Sequence, residues 1–186
     1  MLSDVRAADL SAGGQGAPLV PVLDLLLLGQ QRFTTAALNL GGIANMTVVP
    51  PDGEGRYAAQ GHVDATLLIR LLADPYYALP HPKSTGKETF HDDYLAAAIA
   101  ARTELSGTEV VATVTELTAR IVTDALRRHG IRRVVTSRGG VANRVLTRRF
   151  RALLPGVEWS ISDELGVPAD TKEAVAFALI GYFTAH

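Results

Sequence analysis

Cysteine is absent from the 186 residues, which excludes a disulfide framework, a thiolate metal site and a cysteine nucleophile. An excess of one charge is missing too. Lys and Arg number 18 against 19 Asp and Glu, for a formal net charge of -1, which argues against a general nucleic-acid binder, whose domain would be basic. Long hydrophobic runs are also lacking: the longest, Val20 to Leu28, is broken by Pro21 and Asp24, far short of the roughly 20 residues of a membrane span. The opening Met1 to Arg6 has no basic region leading into an apolar core, so no secretory signal is expected. The expectation is a cytoplasmic domain that engages neither membrane nor nucleic acid. What is plentiful is apolar side chain, at 47%, which excludes a disordered segment and suits a chain able to bury about 70% of its extended surface.

Glycine and proline divide the chain. Gly13-Gly14-Gln15-Gly16-Ala17-Pro18 is a loop whose backbone can approach a neighbour closely. Two short apolar runs, Ala36 to Leu40 and Met46 to Val49, read as strands joined by the glycine turn Gly41-Gly42 and closed by Pro50 to Gly53. From Asp64 the pattern is helical: Leu67, Leu68, Leu71 and Leu72 recur at helix spacing until Asp74-Pro75. Pro80 to Gly86 is a loop, because two prolines and a glycine cannot continue a helix. Asp92-Asp93 reads as a helix start. Val110, Val114, Leu117, Ile121 and Ala125 trace one face of a long helix ending at Gly130, a residue suited to a left-handed cap.

The C-terminal third reads as strand Ile131 to Thr136, helix Asn143 to Leu154, strand Val157 to Ile161, and a last helix entered at Asp170-Thr171-Lys172-Glu173, with capping-box spacing, and reaching about Thr184. Helix, strand, helix, strand, helix implies a parallel sheet flanked by helices through right-handed crossovers. The fold class is α/β.

A phosphate needs several N–H donors with no Cβ in the way, and glycine turns at strand ends answer that need. Gly41-Gly42 follows a strand, and Gly139-Gly140 lies between a strand and a helix, where α/β sheets bind ligands. Neither turn matches a P-loop or a dinucleotide fingerprint, and a diglycine can simply make a turn. Asn39, Asn45 and Asn143 flank the two turns, and for Asn143 a helix cap competes with ligand contact. Nine arginines and no acid lie between Leu126 and Arg151; such a run is ordinarily a solvated helix face, although Arg138 precedes the glycine turn and could meet a phosphate bidentately. The five histidines show no metal-ligand spacing. An isolated carboxylate at Asp163-Glu164 is more often a cap than a general base.

Taken together the segments resemble one family. Ser3 to Asp9 followed by Gly13 to Pro21, Leu38-Asn39-Leu40-Gly41-Gly42-Ile43-Ala44-Asn45-Met46-Thr47, Asp74-Pro75-Tyr76-Tyr77, Pro82-Lys83-Ser84-Thr85-Gly86-Lys87-Glu88, Asp163-Glu164-Leu165-Gly166 and Lys172 to Ala178 are similar, in order, to bacterial anhydro-N-acetylmuramic acid kinases. The resemblance implies a ribonuclease H-like lobe of the actin, Hsp70 and sugar-kinase superfamily, with a mixed sheet flanked by helices, in a molecule whose two lobes clasp ATP and Mg²⁺. It implies hydrolytic opening of the 1,6-anhydro ring of anhydro-N-acetylmuramic acid with phosphorylation at O6, a cell-wall recycling reaction giving N-acetylmuramic acid 6-phosphate. By similarity, Asn39, Gly41 and Gly42 form a phosphate turn, and Gly139, Gly140 and Asn143 the adenosine-side turn. Gly14, Gln15, Lys83, Ser84, Thr85, Gly86 and Glu88 lie towards the sugar or the lobe interface.

The chain also departs from the family. An N-terminal lobe with a Gly-Thr-Ser type phosphate loop is expected to be absent, leaving 1–186 as a single C-terminal-lobe-like domain. The family's Asp-Thr-Gly-Pro-Gly-Asn segment, whose Asp is the catalytic base, is absent, because Pro51-Asp52-Gly53-Glu54-Gly55-Arg56 runs straight into Tyr57-Ala58-Ala59-Gln60-Gly61. Asp52 matches no motif position, so no residue of this chain is assigned as catalytic base. The expectation is a truncated kinase, inactive alone. The alternatives are a non-catalytic remnant, a nucleotide- or protein-binding module, and one half of a split kinase completed by a partner. Material lost at the deletion would expose apolar surface, so self-association is also expected.

Overall fold

The computed structural model describes residues 35–39, 55–80, 92–100, 102, 104–137, 139–169 and 171–185, and the elements below are numbered among these. The strands are β1 (Thr35–Asn39), β2 (Arg133–Ser137) and β3 (Glu158–Ile161). The helices are α1 (Arg56–Gln60), α2 (Ala65–Leu72), α3 (Pro75–Ala78), α4 (Asp92–Ile99), α5 (Gly107–Arg128), α6 (Arg144–Leu153) and α7 (Lys172–Ala185).

The sheet is parallel, in the order β1-β2-β3, with Thr35 to Asn39 opposite Arg133 to Ser137 and Arg133 to Thr136 opposite Glu158 to Ile161. The central strand carries the buried pair Val134 and Val135, the continuous apolar run expected of a strand covered on both faces. A parallel neighbour requires a crossover, and α6 makes it between β2 and β3. Its Phe150 is fully buried and stacks on Trp159 of β3, with ring centroids 5.3 Å apart and planes within 4°. Leu146 and Ala119 complete that cluster, while Leu126, Val134 and Leu154 form the next.

The third cluster is helical: Leu67, Leu68 and Leu71 of α2, Ala98 of α4, and Val114 and Leu117 of α5. Helix α5, about 33 Å long at 1.5 Å per residue, runs through both halves. Its start is set by a capping box: the Glu109 amide donates to Ser106 Oγ at 3.3 Å, and the Ser106 amide to the Glu109 carboxylate at 2.9 Å. Its end falls where expected, with Gly130 at φ +60°. The single apolar face read from the sequence is too narrow, however, because every residue from Ala112 to Ala119 is buried. Neighbours cover α5 on more than one side, and its threonines cope by bonding to their own helix. Thr113, Thr115, Thr118 and Thr123 each donate to the carbonyl four residues earlier, at 2.7 to 3.0 Å.

Two aspartates do more than their positions suggested. Asp64 caps α2 by accepting from the Leu67 amide at 2.7 Å, while its other oxygen holds Arg102 at 2.9 Å and its amide donates to Thr113 on α5. Asp74 not only ends the α2 pattern; it caps α3, accepting from the Tyr76 amide at 2.8 Å with Pro75 at the first helical position. Asp92 opens α4 as expected. The second expected strand, Met46 to Val49, and Asp170 lie outside the described residues, as does most of the Pro80 to Gly86 loop. No described helix is long and apolar enough to cross a membrane.

Candidate functional site

Parallel strands present all their carboxyl ends on one edge, where ligand-binding loops of α/β sheets gather. Here Asn39, the last residue of β1, is the register partner of Ser137, the last residue of β2. After β2 the chain makes a single 3₁₀ turn, Gly139–Ala142, and enters α6. The side chain of Asn143, 7% exposed, caps α6: its Oδ1 accepts from the Leu146 amide at 3.0 Å, while the Asn143 backbone N–H donates to the Gly140 carbonyl at 3.2 Å. The cap reading of Asn143 is thus correct in geometry, and its carboxamide oxygen is already engaged.

Against that cap lies Gly55, with φ +81°. A Cβ there would sit 2.2 Å from Asn143 Oδ1 and 3.3 Å from Val145 Cγ2. Only a residue without Cβ allows this close approach in this left-handed conformation. The carboxyl edge also carries buried serines. Ser137 is fully buried, and the Ser162 hydroxyl, just beyond β3, is buried without a hydrogen-bond partner. The structure thus sets Asn39, at the end of β1, beside Ser137, at the end of β2, and the chain runs on from there through Gly139 and Gly140 to Asn143. Gly41, Gly42, Gly14, Gln15, Lys83, Ser84, Thr85, Gly86, Glu88 and Arg138 lie outside the described residues.

The carboxylates after β3 act as caps. Asp163 accepts from the Ala169 amide at 3.0 Å, and Glu164 from the Ile161 amide at 3.3 Å; they stand in a 3₁₀ turn, Ser162–Leu165. Among the described residues no three His, Asp or Glu side chains form a metal cluster.

The arginine run is only partly a solvated face. Arg127 pairs with Asp124, Arg133 with Glu158 and Arg149 with Glu116, all carboxylates outside the run itself. Glu116 went unnoticed in the sequence, although an acid amid α5's small and apolar residues was the available signal. It is 6% exposed and takes a bidentate pair from Arg149, Nε at 2.5 Å and Nη2 at 2.8 Å, plus Arg120 Nε at 2.7 Å. Burial pushes this carboxyl up, but the hydrogen bonds and charges of Arg149 and Arg120 outweigh it and hold Glu116 below the ordinary carboxylate range. The folded state then binds the proton more weakly than the unfolded state. The pair's stabilisation is complete above the ordinary carboxylate value of about 4.3 and is lost as pH falls through the lowered folded value. We expect Glu116→Gln to cost about 1–3 kcal/mol at pH 7, less than a fully buried pair because the Arg149 side chain stays 39% exposed. Urea midpoints measured from pH 7 to pH 3 should converge for the two proteins at the acid end.

A parallel sheet with a helical crossover, its carboxyl edge carrying a diglycine turn into a capped helix, defines an α/β domain. Comparison with known proteins makes the class specific. The family profile described as "Anhydro-N-acetylmuramic acid kinase" matches residues 1–56 and 52–186, and the chain belongs to that family. Proteins named anhydro-N-acetylmuramic acid kinase are 46% identical to it in Streptomyces coelicolor (99% of this chain, 55% of the relative) and 44% in Streptomyces avermitilis (100% and 55%). The Rhodococcus erythropolis protein of that name is 40% identical (100% and 56%). The chain thus spans about 55% of the length of these curated relatives. The S. coelicolor alignment runs over 214 positions against 186 residues here, so at least 28 positions (214 less 186) face no residue of this chain. The two pieces of the profile match meet at 52–56. That is where the sequence departs from the family pattern, immediately before α1.

Proposed function

We propose that this chain is the nucleotide-holding portion of an anhydro-N-acetylmuramic acid kinase, a single ribonuclease H-like, C-terminal-lobe domain working in the cytoplasm. The observation that carries the reading is the register of β1 and β2. With Asn39 opposite Ser137, the last residues of β1 and β2 stand side by side at one sheet edge, on strands about 4.8 Å apart, so a nucleotide lying across that edge would meet the residues assigned to its phosphates after β1 and those assigned to its adenosine side after β2. The Gly139-Gly140 turn, free of Cβ atoms, and the unpartnered Ser162 hydroxyl fit an oxygen-rich ligand at this edge. Mg²⁺, when bound with ATP, would neutralise charge on the phosphates. In the reaction of the whole family, water opens the anhydro bridge and O6 receives the phosphoryl group. By resemblance, Lys83, Ser84, Thr85, Gly86 and Glu88, with Gly14 and Gln15, would lie towards the sugar or the lobe interface.

The water must lose a proton to a base, and no residue of this chain takes that role in our reading. ATP should therefore bind weakly and unproductively. We expect ATP with Mg²⁺ to shift the amide resonances of Gly139, Gly140 and Asn143 with a Kd of about 1 mM, roughly -4 kcal/mol, while the chain forms no phosphorylated sugar. The absence of any shift at these three residues would refute the nucleotide reading. Self-association belongs to the same proposal, since Ile69, Tyr182 and Phe183 are exposed large apolar side chains.

A further inference from the structure

Helices α1, α5 and α6 enclose a groove of about 650 Å³ that the nucleotide edge does not use. Its walls are small and apolar: Ala58 and Ala59 from α1, Ala112 from α5, Val145 and Ala152 from α6, with Val63 between α1 and α2. Its polar part is Glu116, paired with Arg120 and Arg149, together with Arg148, three guanidinium groups to one carboxylate, so the lining is net positive. A concave surface of alanines and valines is shaped for another backbone to come close, and left in water it is an exposed apolar patch. The volume is that of a small-ligand pocket, enough for the side chains of part of a segment and too little for a folded domain.

The groove's position indicates which segment. The family match breaks at 52–56, and α1, which begins at Arg56, forms one wall. At least 28 aligned positions of the S. coelicolor relative have no counterpart here. We propose that this groove is the seat of that segment, delivered by a second polypeptide, so that the chain acts as one part of a complemented kinase. The proposal rests on the family membership behind the proposed function but not on the glycine turns. The net positive floor calls for a segment that brings carboxylate or carbonyl oxygens to the arginines, and binding should weaken with salt.

The test uses the whole chain and a fluorescein-labelled synthetic peptide with the S. coelicolor sequence between the positions matched to 52 and 56. Saturable one-to-one binding by anisotropy is expected, at least tenfold tighter than for a scrambled peptide. Ala152→Trp and Ala59→Trp, both at exposed positions, should each weaken it at least tenfold while leaving the circular dichroism and melting temperature unchanged. No saturable binding, equal binding of the scrambled peptide, or undiminished binding to both variants would overturn the proposal. So would concentration-dependent dimerisation of the chain that Ala152→Trp abolishes while the peptide fails to bind, which would assign the groove to a second copy. Peptide binding without ATP-induced shifts at Gly139, Gly140 and Asn143 would defeat the nucleotide reading alone; shifts without peptide binding would defeat the groove alone.

Discussion

Phe150→Ala is expected to destabilise the protein by about 3–5 kcal/mol, the range for deleting a fully buried aromatic ring. The ring is fully buried on the inner face of α6, flat against Trp159 of β3 and in one cluster with Leu146 and Ala119. Its removal leaves a cavity among three elements: the crossover helix, the third strand and the long helix α5. The stacked pair adds about 0.5–1.5 kcal/mol beyond area burial. Since domains of this size are stable by only about 5–15 kcal/mol, the variant would lose from about a fifth to all of its stability. Trp159 is the single tryptophan, so its emission reports on the damaged contact during urea denaturation. Phe150→Leu, which keeps most of the volume, should cost about 1.5 kcal/mol or less. A loss below 1 kcal/mol for the alanine variant would mean that α6 is not seated on β3.

The second large effect is expected at Gly61, and its origin is different. Gly61 has an ordinary extended backbone, φ -94° and ψ 163°, so no conformational strain accompanies a side chain. A Cβ there would instead lie 2.1 Å from the Thr108 carbonyl oxygen, 2.3 Å from its carbon and 2.8 Å from the Glu109 amide nitrogen. These are backbone atoms of the first turn of α5, and no rotamer change moves them aside. Gly61→Ala must lift α1 from α5 or displace the capped turn at Ser106, at about 2–3 kcal/mol, the upper part of the usual range for overpacking. The natural control is Gly107→Ala, one residue from the clash. A Cβ at Gly107 meets nothing within 4 Å, and that variant should fall within about 0.5 kcal/mol of the parent. Thermal unfolding of the pair measures the difference directly. Because α1 forms a wall of the groove, Gly61→Ala should also lose the peptide binding proposed above.

Features encoded over a few neighbouring residues were legible without the structure. The β2–α6–β3 run, the parallel sheet and the left-handed Gly130 follow from periods of two and 3.6 and from glycine's tolerance of positive φ. The boundaries moved by a residue or two, as they do where strand and turn residues share the same composition. For the site, the glycine turns were visible as strings, and the register of Asn39 with Ser137 was not. Pairing between strands nearly a hundred residues apart leaves no mark on the sequence of either.

Family membership, the discontinuity at 52–56 and the α/β class were determined by the sequence itself, because motifs in order and local periodicity are properties of the chain read as a line. Only the tertiary structure decided that Glu116 anchors Arg149 from 33 residues away, that Gly55 presses on the α6 cap and Gly61 on the α5 backbone, and that α1, α5 and α6 leave a groove beside the discontinuity. Those contacts arise from how distant elements pack. Close packing is a condition on volumes and distances in three dimensions, and no short window of sequence contains it.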